Sequence, residues 1–217
     1  MDDFEKMWRE KILKHIDQYV NKKTGQKVSQ IEIDSPIEYS KTLISTLKKE
    51  TVDEQIQKLF IDNACHIPHH KLDEAKKVYS DTQSLSKTRE ALELSFLKDI
   101  IIDKNLSKKQ AKMIIENGWG LAGIQQDDTI IATKIPSKFH QYMNETDPLK
   151  KKYFYCHCPR VRENLLNGAD LDSIYCNCGG GFYVDIWTYI TGKDVSIKTS
   201  KSLFDGDDVC QFVISFN

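Results

Sequence analysis

No apolar run in the chain approaches the roughly 18 residues of a membrane-spanning helix, so a membrane partner is not expected. The N-terminal stretch MDDFEKMWREKILKHIDQYV lacks the basic start, the continuous apolar segment and the small-residue cleavage site of an export signal. A cytoplasmic location is therefore expected. Basic excess is missing too: Lys+Arg 31 stands against Asp+Glu 32, which argues against nucleic acid as a partner. No internal repeat is present, which excludes a repeat array. Gly179-Gly180-Gly181 lacks the spacing and the lysine or later glycine of a phosphate or dinucleotide loop. Asp205-Gly206-Asp207-Asp208 lacks the ligand count and terminal glutamate of a calcium loop and reads as a hairpin turn.

What is present suits a folded chain with a substantial core. The 217 residues are 40% apolar and 29% charged, enough to bury a core without disulfide staples. Residues 1–118 read as helical. Phe4, Trp8, Ile12 and Ile16 recur at helical spacing over a charged face, predicting an amphipathic helix that ends near Asn21 to Gly25. Ser35-Pro36-Ile37-Glu38 and Thr51-Val52-Asp53-Glu54 carry helix-start signals. Further helices are expected over 69–79, 85–102 and from Ser107 to Asn117-Gly118. Residues 119–217 read as a second, mixed region, with both regions forming either two domains or one integrated domain. Strand composition marks 129–133, 152–156, 195–198 and 209–216, and helices are expected over 160–167 and 181–191. The class is α+β, a helical half packed on an antiparallel sheet with flanking helices, and 195–216 is expected to form a hairpin. Trp119 and Tyr183 read as core residues.

Chemistry is concentrated in the six cysteines. Four form two Cys-x-Cys pairs, Cys156/Cys158 and Cys176/Cys178, and an extended segment would place both thiols of a pair on one face. Four converging thiolates satisfy tetrahedral zinc, so Cys156, Cys158, Cys176 and Cys178 are the expected metal ligands. Unlike the usual Cys-x2-Cys knuckle, Cys-x-Cys on a straight strand holds its sulfurs further apart than one metal prefers, so a bend at Pro159 or the glycine triplet is needed. Iron–sulfur spacing signatures are absent. A nucleophilic role is the alternative. Cys178, placed before the glycines and an expected helix whose free amides would favour a thiolate, is the leading candidate, with Cys176 beside it. His157, on a strand, would face away from its flanking cysteines. Cys210 shares a strand face with Phe212 and Ile214 and reads as a buried filler. Arg160 and Arg162 follow the first pair and suit a ligand carboxylate, or alternatively an ordinary ion pair. Cys65-His66-Ile67-Pro68-His69-His70 has metal-binding residue types but reads as a helix junction.

The run YCNCGGGFYVDIWTYITGKDVSIKTSKSLFDGDDVCQFVIS combines a glycine-rich start, a helix and a hairpin whose second strand follows Gly-Asp-x-x-Cys-x-Phe. Over roughly 139–216 it resembles the bacterial 4-vinyl reductase domain and is similar to L-2-amino-thiazoline-4-carboxylic acid hydrolase-like proteins. The resemblance implies an α+β small-molecule-binding module, with zinc in some members and hydrolase activity in one branch. Cys210 matches the family cysteine after Gly-Asp. The companion zinc ligands of the sensor members fall near Thr199 and Ser202, which departs from the pattern. The expected protein is thus a cytosolic small-molecule binder with a cysteine-ligated zinc, or alternatively a cysteine-dependent hydrolase of an amide or thiazoline ring. A homodimer is left open.

Overall fold

A computed structural model describes residues 3–217. Its helical half runs α1 (Asp3–Tyr19), α2 (Lys22–Ser29), α3 (Pro36–Glu50), α4 (Asp53–Asp62), α5 (Asp73–Thr82), α6 (Leu85–Asp103) and α7 (Lys108–Glu116), with a 3-10 turn at His69–Leu72 leading into α5. The chain then forms β1 (Ile124–Gln126), β2 (Thr129–Thr133), α8 (Phe139–Asn144) and α9 (Pro148–Tyr155). Two 3-10 turns, Arg162–Leu166 and Ser173–Cys176, lead to α10 (Asn177–Thr191), β3 (Val195–Lys201) and β4 (Gln211–Phe216). The sheet is antiparallel in the order β1-β2-β4-β3. The α+β class and the terminal hairpin stand as read from the sequence.

Side-chain caps account for the starts of α2, α3, α6, α7 and α9. Ser35 accepts from the Glu38 amide, and Ser107 and Gln110 form a full capping box. The first helix stops earlier than expected. Asn21 is the N-cap of α2, accepting from Thr24 N at 2.9 Å, so Gly25 lies inside the next helix rather than at an end. Residues 152–155 are helical rather than extended, and Cys156 is the C-cap. Asp147 accepts from the Leu149 and Lys150 amides and Pro148 occupies the first turn, a start signal that overrides the aromatic composition of KKYFY. The helix expected over 160–167 is only the 3-10 turn Arg162–Leu166.

The glycine triplet is also placed differently. It lies within the first turns of α10, not ahead of it. A side chain at Gly179 or Gly180 would run into Phe212 or Ile197 of the sheet, and one at Gly181 would meet the Ile61 carbonyl of α4. The triplet therefore lets α10 lie close to α4 on one side and the sheet on the other. Gly192, at φ +67°, ends the helix in the left-handed conformation.

The two expected regions share their cores. Trp8, Ile12, Leu43, Ile56 and Phe60 pack with Val161, Leu171, Ile174 and Tyr175, while Leu72, Tyr79 and Leu92 pack with Ile130, Trp187, Phe212 and Ile214. This interleaving makes the chain one integrated unit across residue 118. No helix among the described residues is long and apolar enough to cross a membrane.

Candidate binding cavity

A cavity of about 580 Å³ lies where the helical half meets α10 and the sheet. Most of its wall is apolar, from Trp8, Leu92, Phe96, Leu121, Phe182 and Phe212. All six cysteines line it as free thiols. Its volume falls in the range of about 300–1,000 Å³ typical of small-molecule sites.

The cysteine pairs reach this cavity by a route different from the one expected. Neither pair is on a strand: Cys156 and Cys158 follow α9, and Cys176 and Cys178 straddle the start of α10. Helical rotation turns Cys176 and Cys178 to different neighbours. Cys176 is hydrogen-bonded to Cys210 and Ser202, whereas Cys178 lies towards Cys65, Cys158 and Lys134. Cys158 Sγ is 3.4 Å from the Tyr175 hydroxyl. Among the described residues no group of three or more His, Cys, Asp or Glu side chains is arranged to hold a metal ion.

Burial is the leading influence on the acidity of three of the thiols. It pushes Cys178 up to about 12 and raises Cys156 and Cys158. The Cys176–Cys210 hydrogen bond splits that pair, raising Cys176 and lowering Cys210. A raised thiol is a weaker nucleophile at neutral pH than one beside a cation or a free helix N-terminus. Cys210 is more than a filler: it borders the cavity, and its amide donates to the Tyr155 hydroxyl at 3.2 Å. His157 does not turn away. It also lines the cavity and bonds through Nε2 to the Ile135 carbonyl, and burial followed by the nearby Lys134 charge holds its pKa down at about 4.

Arg160 enters the cavity wall already committed. Its Nε and Nη2 donate to the Glu5 carboxylate at 2.5 and 2.9 Å, and Nη1 donates to Ser40 Oγ and the Tyr175 hydroxyl. The guanidinium also stands 3.5 Å from the Trp8 ring centroid. This is a buried ion pair, not the surface pair or ligand clamp considered from sequence. Arg162 is outside the lining, near the Tyr153 ring. At the helix junction, His66 and His69 both approach Asp185 of α10, at 3.2 and 3.1 Å.

Lys134 was not marked by any sequence motif. It follows β2 directly, and its Nζ sits 3.9 Å from the Phe182 ring centroid and 5.2 Å from that of Tyr183. Burial lowers its pKa, opposed by the surrounding thiols. The only signal in the sequence is a lysine closing the apolar run TIIAT, which is common in ordinary strands.

Comparison of the chain with family models, curated proteins and solved structures finds no match.

Proposed function

We propose that the chain is a small-molecule-binding protein whose ligand occupies the cavity between the helical half and the sheet. The observation that carries this reading is the cavity itself, about 580 Å³, mostly apolar and crossed by a few polar groups. The resemblance of residues 139–216 to the 4-vinyl reductase domain points the same way. Free thiols on the wall suit a reducing, cytoplasmic setting. Binding is proposed in preference to hydrolysis because the thiols of Cys176 and Cys178 are held protonated by burial and by the Cys176–Cys210 contact.

A thermal-shift screen of apolar and amphipathic metabolites tests this, comparing wild type with Leu121→Trp, which places a large side chain on the cavity wall. Stabilisation of wild type by a set of related compounds, lost in the variant, is the expected result. A folded wild type indifferent to every compound, while forming a stable complex with another protein, would replace the reading with that of a scaffold.

The zinc expected from the sequence remains a proposal with its own test. If the thiols rearrange around a metal, elemental mass spectrometry of untagged protein purified without chelator finds about one zinc per chain, lost in Cys176→Ser/Cys178→Ser. Metal-free, fully reduced protein of unchanged stability would remove zinc from the account.

A further inference from the structure

The cavity carries four basic side chains of the lysine and arginine type, and three of them have partners. Arg160 is held by Glu5, Lys71 donates to Asp99 at 2.9 Å, and Lys104 donates to the Ser137 carbonyl at 3.0 Å. Lys134 differs. Among the described residues its Nζ has no hydrogen-bond or ion-pair partner, only the faces of Phe182 and Tyr183. The ionisable groups acting on it most are the thiols of Cys178, Cys210, Cys65 and Cys156. Lys134 is partly buried, and an ammonium partly withdrawn from water without a counter-charge carries a cost that aromatic faces offset only in part. A ligand in the cavity can supply the partner. Apart from the thiols most of the wall is apolar, which suits one negative group on an otherwise apolar body.

We propose that Lys134 anchors the carboxylate of an apolar monocarboxylic acid, with the hydrocarbon part lying against Phe96, Leu121 and Phe212. The inference rests on the small-molecule reading above and names its ligand class. It also moves carboxylate recognition from Arg160, whose fork is filled by Glu5, to Lys134. A lysine is suited to this task, because a compact point charge accepts a carboxylate from several directions where an arginine demands a planar approach.

The test is calorimetric binding of decanoate, decanamide and decylamine at neutral pH to wild type and Lys134→Met. In wild type, decanoate is expected to bind about tenfold or more tighter than the amide, with the amine weakest. In Lys134→Met the acid's advantage disappears while amide binding persists. The acid-to-amide ratio in wild type is itself decisive should the variant fold poorly. Equal binding of acid and amide by wild type would overturn the anchor but leave the cavity reading standing. Binding of none of the three, together with an unresponsive screen, would remove both. Preference for the acid retained in Lys134→Met would place the anion elsewhere. Rapid alkylation of Cys210 that slows in Lys134→Met, without any acid preference, would assign the ammonium to the thiolate instead.

Discussion

Arg160 places its guanidinium between the Glu5 carboxylate and the Trp8 ring, joining a loop in the second half of the chain to the first helix. Both side chains are almost wholly buried, at 2% and 5% exposure. Removing one member of such a pair leaves the other charged and unsolvated. Arg160→Met is therefore expected to lower unfolding free energy by about 3–5 kcal/mol in denaturant titrations, and Arg160→Lys to rescue little, because the bidentate geometry is lost. The same pair sets an acid limit. Burial alone would raise the Glu5 carboxyl, but Arg160 and Arg9 together hold it below its ordinary value of 4.5. A depressed carboxylate gives stability that is present above the unfolded pKa and disappears as pH falls through the folded one. Stability is thus expected to fall below about pH 4.5, and Glu5→Gln to flatten that slope while lowering the plateau. A loss of stability with the same slope in Glu5→Gln would refute the assignment. Nothing in the sequence pairs residues so far apart. Arg160 stood out only through its position beside the cysteines, and Glu5 not at all.

At the scale of elements, local chemistry was legible wherever a cap or a period acted alone. Ser35, Ser107 and the apolar stripe of α1 announced their helices. Ser107→Ala is expected to cost about 1 kcal/mol, measured by thermal unfolding, since it removes the hydroxyl that accepts from the Gln110 amide and leaves only the Gln110 side chain on the backbone amide of residue 107. Two features misled. Aromatic composition suggested a strand where Asp147-Pro148 starts α9, and three successive glycines suggested a loop where tertiary contact demands a helix without side chains. Gly181 shows why. A methyl group there would stand well inside contact distance of the Ile61 backbone carbonyl, which cannot swing away as a side chain could. Gly181→Ala, which should help an isolated helix by propensity, is expected instead to destabilise the protein by about 1–3 kcal/mol. A stabilised variant would mean that α4 and α10 are not packed this closely. The start of α10 also separates the two thiols of one pair. Period two was assumed for Cys176 and Cys178, whereas the helix turns them to separate neighbours.

For the whole molecule, the cavity exists because neither half closes its own core. The helical half supplies Trp8, Leu92 and Phe96, and the second half supplies Lys134, the α10 aromatics and most of the thiols. The sequence concentrated attention on cysteines, all of which line this space. It could not show their common surface, because that depends on helix packing across the chain. Native mass spectrometry of untagged protein, released gently from its host, tests the central claim most directly. A small-molecule adduct on wild type that is absent from Leu121→Trp is expected, its mass and fragmentation those of an apolar acid. A bare chain in both proteins, with no adduct forming on incubation with apolar metabolites, would contradict the binding role.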